Sequence, residues 1–235
     1  MLTIVSGYWN ISKSKYTEDD YKKWMTKTLR INCPYVFFGN KDTIEFVKKI
    51  RYDLPTYYIE SEFEDFYCYK FRNNILDMIP HVPCKDINII WNEKVFLIHK
   101  SKQINPFNSE YFMWIDAAIY LYRNIEPSKN IYPNPIKINN IPKNKFLFCS
   151  SEKPYFEKHK VHPNHYYHYI SGNFMIHIDL IDNFSKIYKE YVDKYLSHIN
   201  WINTEQKILT HIYDDYPELF YKISDGYGNI ISYFE

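Results

Sequence analysis

Tyr111-Phe112-Met113-Trp114-Ile115-Asp116-Ala117-Ala118 is an apolar and aromatic run that ends in one carboxylate and two small residues. A run without polar alternation fits a strand covered on both faces, as in a parallel sheet. In open α/β sheets, ligands sit beyond the carboxyl ends of the strands. An acid at that end, followed by two alanines, leaves room for a bulky anionic ligand. A hard dication could bridge Asp116 to a diphosphate, and departure of a nucleoside diphosphate is the chemistry that follows. On spacing alone, Asp116 reads equally well as the cap of the next turn.

The flanking sequence supports such a sheet. Residues 2–6 form a short apolar strand expected to break at Gly7. A helix is predicted over 17–30, with Thr17 and Asp20 as a capping box. Tyr35-Val36-Phe37-Phe38 reads as a central strand ending at Gly39, and Asp42 with Glu45 as the cap of a helix over 43–51. Thr56-Tyr57-Tyr58-Ile59 is a third strand, which completes a doubly wound α/β half. Helices are expected over 63–79 and 86–100, an irregular Pro- and Asn-rich excursion over 125–144, and strands at 145–149 and 173–177. Two further helices, 180–198 and 204–214, precede Leu219-Phe220-Tyr221 and Ile230-Ile231. The chain reads as one domain, 1–235, with a nucleotide-binding half (1–120) and an acceptor-binding half (121–235).

Lys94 is the second chemical signal. It follows Ile87, Ile90 and Trp91 by seven, four and three residues, so helical periodicity turns it toward the buried face. A lysine there needs an anionic partner or must snorkel outward. Val5-Ser6-Gly7-Tyr8 ends the first strand; Gly7 permits close backbone approach, and Tyr8 offers a ring to a base. Ser171-Gly172-Asn173-Phe174 reads as a turn into a strand, with Asn173 able to bond a sugar hydroxyl. Asn203 or Thr204 caps the helix that begins at Glu205 and Gln206, and that N-terminus can present both side chains to a ligand. His159, His162, His165 and His168 recur every third residue; Pro163 argues against one helical face, and the run reads more readily as a polar loop or lid than as a zinc site.

Composition narrows the class. A net charge of +1 over 235 residues gives no strongly basic face, so nucleic acid is not the expected partner. The four cysteines (33, 68, 84 and 149) show no Cys-x-x-Cys spacing and read as free thiols. Neither a signal peptide nor a membrane-length apolar stretch is present, which predicts a cytoplasmic protein without a membrane partner. The oligomeric state is not set by the sequence, and a homodimer stays open. Aromatics at 20% accompany abundant Asn, Ile and Lys, a pattern of AT-rich genomes.

Thr3-Ile4-Val5-Ser6-Gly7-Tyr8, Ile50-Arg51 with Thr56, Trp91-Asn92-Glu93-Lys94-Val95-Phe96-Leu97, Asn105-Pro106-Phe107-Asn108-Ser109 and Tyr111 to Ala117 together resemble the HtrL/YibB-like family, read as type-A glycosyltransferases. The resemblance covers most of the first 120 residues and is looser beyond them. It implies a Rossmann-like type-A glycosyltransferase fold, with a mostly parallel central sheet flanked by helices. It also implies a UDP-sugar donor, a glycan or glycosylated protein as acceptor, and Mn2+ or Mg2+ as the cation. Val5, Ser6, Gly7, Tyr8, Lys94, Trp114 and Asp116 would hold the donor, and Asn173, Glu205 and Gln206 would stand at the sugar and acceptor. The AT-biased composition extends the resemblance to giant-virus collagen galactosylhydroxylysine glucosyltransferases, implying glucose as the sugar, retention of configuration, and a host-cytoplasmic or virion location. One departure stands out. Type-A enzymes commonly carry Asp-x-Asp, and here Ala118 takes the second position, so the expected cation falls to Asp116 with help from Asp225. The alternatives are a non-catalytic carbohydrate- or protein-binding module and a phosphate-handling hydrolase.

Overall fold

The strand that begins at Tyr111 is the central one of seven in a single sheet, ordered β3-β2-β1-β4-β6-β5-β7. The strands are β1 (Leu2–Tyr8), β2 (Tyr35–Gly39), β3 (Thr56–Glu60), β4 (Tyr111–Trp114), β5 (Phe146–Ser150), β6 (Ile170–His177) and β7 (Phe220–Asp225). The computed structural model describes residues 1–11, 16–76, 84–151, 168–201 and 203–235. All pairings are parallel except those of β6, which runs antiparallel to both β4 and β5. The expected α/β fold with a mostly parallel sheet between helices is therefore observed.

Alternation along β4 divides the core. Phe112 and Trp114 face one side, while Tyr111, Met113 and the following Ile115 face the other. The first side is covered by α3 (Lys85–Ile104), α5 (Ile178–Leu196) and α6 (Glu205–Asp215), through residues such as Ile98, Phe184 and Leu209. The second is covered by α1 (Glu18–Thr28), α2 (Lys41–Ile50) and α7 (Asn229–Phe234), through Met25, Val47 and Ile231. Burial on both faces explains why β4 shows no polar alternation. The short α4 (Pro135–Asn139) sits within the Pro- and Asn-rich excursion.

Local chemistry explains most element ends. The Thr17–Asp20 capping box forms in both directions. The cap of α2 is Asn40, which accepts from the Thr43 amide at 3.0 Å, and not Asp42 as expected. β1 continues through Gly7 to Tyr8, since Gly7 stays in register with Phe38 of β2. Over its described part, the helix expected over 63–79 is instead two 3-10 segments, Phe63–Asp65 and Tyr67–Asn74, and residues 77–79 lie outside the described residues. Cys68 and Phe71 are buried three residues apart, the 3-10 period, and the Glu93 carboxylate accepts from the amides of Tyr67 and Cys68.

Two blocks of the family-like pattern have structural roles. The buried Arg51 donates from Nε to Thr56 Oγ1 at 2.7 Å and from its terminal nitrogens to the carbonyls of Leu29, Ile31, Cys33 and Pro55, while stacking on Tyr35. It thereby ties the ends of α1 and α2 to the start of β3. Asn105 takes a left-handed conformation (φ 36°) to end α3, and its Oδ1 accepts from the Ser109 amide, which launches β4. All four cysteines are buried and free. Among the described residues, no helix is long and apolar enough to cross a membrane.

Candidate functional site

β1 and β4 end side by side, with Val5 paired to Trp114 and the Ser6 hydroxyl donating to the Ile115 carbonyl at 2.7 Å. Beyond that point the chain turns, and Asp116 emerges at the carboxyl end of the central strand. The reversed β6 supplies the next part. Because it runs against β4, its early residues lie beside the late end of β4, and Asn173 Oδ1 accepts the Asp116 amide at 3.1 Å. A parallel strand at this place would have brought its far end here.

α3 brings Lys94 to the same point. Its Nζ lies 2.8 Å from Glu205 Oε1, 3.0 Å from Asp116 Oδ1 and 3.1 Å from the Gly172 carbonyl. The ammonium is also 5.7 Å from the Trp114 ring centroid. Only 2% of the Lys94 side chain is exposed, so the snorkelling alternative does not occur. The Asp116 carboxylate additionally accepts from Trp114 Nε1 and from the Tyr227 hydroxyl, each at 2.8 Å.

These contacts set the charges. Burial pulls the Lys94 pKa down, but Asp116 and Glu205 outweigh it and the net shift is upward. Burial pushes Asp116 up, and Lys94, Trp114 and Tyr227 more than reverse that, so its carboxyl titrates below the usual range. For Glu205 burial wins over the pull of Lys94, and its pKa rises. The firm ion pair is therefore Lys94–Asp116, with Glu205 a buried second acceptor that takes a proton more readily.

Gly172 makes the close approach possible. A Cβ there would lie 2.9 Å from Glu205 Oε1 and 3.1 Å from Lys94 Nζ. Gly172→Ala is expected to destabilise the protein by about 1–3 kcal/mol through overpacking, with each kcal/mol worth roughly 2–4 °C in Tm for a chain of this size. Thermal unfolding followed by circular dichroism reads it; an unchanged Tm would mean the pair can move aside.

Lys94 and Asp116 form part of the wall of a cleft of about 510 Å3 that opens at the strand ends. Gly7, Tyr8, Trp91, Trp114, Arg123 and Tyr227 also line it. Tyr8, Tyr16 and Tyr21 cluster in its wall, with Trp24 beside Tyr16: Tyr8–Tyr21 centroids lie 5.6 Å apart and Tyr16–Trp24 4.9 Å apart. Burial, helped by Tyr21 and Glu18, pushes the Tyr8 phenol up to about 12, which keeps it neutral. An apolar, aromatic cleft of this size with a few converging polar groups is what a small-molecule site requires.

The structure thus gathers most of the residues singled out from the sequence, at different depths. Gly7, Tyr8, Lys94, Trp114 and Asp116 line the cleft, whereas Val5 is core and Ser6 is buried, bonding the backbone. Asn173, Glu205 and Gln206 are buried behind Lys94 and Asp116, off the described cleft wall; Gln206 Nε2 donates to the Ile170 carbonyl. Asp225 stands apart: its carboxylate accepts from Ser150 and pairs with Lys222 at 3.0 Å. His159, His162 and His165 lie outside the described residues. Tyr227 and Arg123 were missed. The signal for Tyr227 was its place between Gly226 (φ 101°) and Gly228 (φ 82°), two of only five glycines in the chain.

A resident dication does not fit this arrangement. Trp114 and Lys94 already fill one oxygen of Asp116, and Tyr227 binds the other. The ammonium of Lys94 stands between Asp116 and Glu205, where a cation shared by two carboxylates would sit. Asp225 is engaged elsewhere, and among the described residues no group of three or more His, Cys, Asp or Glu side chains could hold a metal.

No curated protein matches the chain. Among solved structures it is similar to 4-diphosphocytidyl-2C-methyl-D-erythritol synthase from Anaerococcus prevotii, at 11% identity and a TM-score of 0.47, over 97% of this chain and 89% of that one. The profile of the HtrL_YibB family, described as "bacterial protein of unknown function", matches residues 58–235. The match runs through the C-terminal half, where the motifs of the resemblance are looser, and it begins after β1 and β2. It takes in Lys94, Asp116 and Tyr227 of the cleft wall and Gly172 and Glu205 behind it, and a match over more than half its length makes this chain a member of the HtrL/YibB family.

Proposed function

We propose that this protein is a glycosyltransferase that moves a hexose, glucose foremost, from a UDP-sugar to a hydroxyl acceptor on a glycan or glycosylated protein, such as galactosylhydroxylysine of collagen. The observation that carries this reading is one cleft at the ends of β1 and β4 whose wall combines aromatic rings with the charged groups Lys94, Asp116 and Arg123. The ring of Tyr8 suits a base. The polar groups of Lys94 and Asp116 suit the sugar.

In the transfer, the bond from the anomeric carbon to the β-phosphate oxygen breaks and a bond to the acceptor oxygen forms. UDP leaves with the electron pair, and its departing β-phosphate oxygen, more basic than the low-pKa Asp116 carboxylate, takes the acceptor proton. Asp116 is the one carboxylate on the described cleft wall, and it is held ionised beside that chemistry. Asn173 fixes the backbone of Asp116, and Glu205 with Gly172 fixes Lys94. These three act as positioning groups. No step is assigned to Mn2+ or Mg2+, because the residues do not fit one. Retention of configuration rests on analogy alone.

A donor screen measuring UDP release, run with and without added Mn2+, tests the proposal. Turnover of at least one UDP-hexose is expected, most readily UDP-glucose. Failure to bind UDP in calorimetry, together with no release from any donor, would overturn it. A non-catalytic carbohydrate- or protein-binding module is the second reading. Ala118 in place of a second carboxylate favours it, and saturable UDP-sugar binding without turnover by any acceptor would establish it.

A further inference from the structure

The chain has four arginines, and three of them are engaged. Arg30 pairs with Asp53, Arg51 is buried among carbonyls, and Arg72 pairs with Asp86. Arg123 differs. It lines the cleft, yet among the described residues its guanidinium makes no hydrogen bond and no ion pair, and its buried Nε has no partner. What surrounds it is aromatic: its Cζ lies over the Trp24 ring at 3.8 Å from the centroid, 4.7 Å from that of Tyr16 and 5.6 Å from that of Tyr120.

Stacking uses the face of a guanidinium and leaves its edge unused. The five N–H donors lie in the plane of the group, in a fork that matches a carboxylate or phosphate in bidentate fashion. Contact with the nearest ring, Trp24, consumes no N–H donor to an acceptor atom and leaves in-plane donors of Arg123 for a ligand. The other cation of the cleft is already spent, since Lys94 faces both Asp116 and Glu205. Arg123 is therefore the cleft's one described positive charge without an acidic partner, in a site where no dication fits between the acids.

We infer that Arg123 is the anion-binding residue of the cleft and takes the diphosphate of the donor through its guanidinium edge. This rests on the reading of the ligand as a nucleotide sugar. It adds a binding residue, and it gives the diphosphate a cation that belongs to the chain itself.

Calorimetry with inorganic pyrophosphate, UDP and uridine, all in EDTA, tests this on wild type, Arg123→Gln and Arg123→Lys. Wild type is expected to bind pyrophosphate without metal. Arg123→Gln should weaken pyrophosphate and UDP by at least about tenfold, as loss of a bidentate charge-assisted contact implies, and leave uridine unchanged. Arg123→Lys keeps a charge over Trp24 but has no fork, and should fall between; it carries the comparison if Arg123→Gln does not fold by near-ultraviolet circular dichroism. Pyrophosphate binding that is unaffected by either substitution, absent from wild type, or dependent on added Mn2+ overturns the inference. The two readings separate cleanly. Arg123-dependent pyrophosphate binding without UDP binding keeps the anion site and sinks the nucleotide-sugar donor; UDP binding indifferent to Arg123 does the reverse.

Discussion

Lys94→Met is expected to be the most destabilising single change at the site, by about 3–5 kcal/mol, the usual cost of breaking a buried ion pair by removing one partner. Methionine fills the space and matches the helix, so the loss is electrostatic. It leaves Glu205 with one oxygen deprived of its ammonium and the other already without a partner among the described residues. It also leaves Asp116 relying on Trp114 and Tyr227. Glu205 carries the sharper test, because burial already raises its pKa. A carboxyl whose folded pKa is raised contributes stability below its unfolded pKa and loses it as pH rises through the folded value. The variant should therefore be closest to wild type at low pH, with a deficit that widens toward neutrality. Adding Glu205→Gln, which removes the stranded charge, should recover a large part of the loss. Urea unfolding at pH 5 and pH 8 measures all of this. A deficit under about 1 kcal/mol and flat with pH would mean the ammonium reaches water.

Asp116→Asn should give the largest effect on function with little effect on folding. An asparagine can keep its oxygen toward Trp114 Nε1 and turn its amide toward the Tyr227 oxygen, so the local hydrogen bonds have a way to persist. Lys94 retains Glu205 and the Gly172 carbonyl. What disappears is the ionised carboxylate of the cleft wall and half of the charge that holds the ammonium in place. A loss of donor turnover well beyond about tenfold is expected, equivalent to more than about 1.4 kcal/mol in the barrier, with a Tm near that of wild type. Parallel assays of UDP release and thermal unfolding separate the two effects. Wild-type turnover in this variant would remove Asp116 from the chemistry.

The path from sequence to site was uneven for physical reasons. β4 and the strands before it were legible because burial on both faces produces long apolar runs, and Lys94 because helical period put it among Ile87, Ile90 and Trp91. The direction of β6 was not legible: Asn173-Phe174-Met175-Ile176-His177 has the same pattern whichever way it runs, and direction decides whether Asn173 or His177 meets Asp116. The 3-10 segments over 63–74 were hidden because their order depends on Glu93, a partner distant in sequence. Asp225 was a plausible second acid by type, but its pairing with Lys222 and Ser150 follows from the register of β5 and β7. Arg123 left no periodic trace, since it follows a turn and is held by rings from α1 and the segment before it.

The contacts of Tyr227 with Asp116 and of Lys94 with Glu205 each join residues 111 positions apart, and that of Lys94 with Gly172 spans 78. Such contacts carry the full entropy of loop closure and form only as the large-scale topology closes. The local pieces of the chain, a helix here or a strand pair there, can exist without the site. The cleft chemistry is therefore an emergent property of the completed sheet. Loosening any one of the elements that meet there is expected to disrupt the cleft while most of the fold persists, so an intact cleft and gross foldedness are separate quantities in this protein, the first the more fragile.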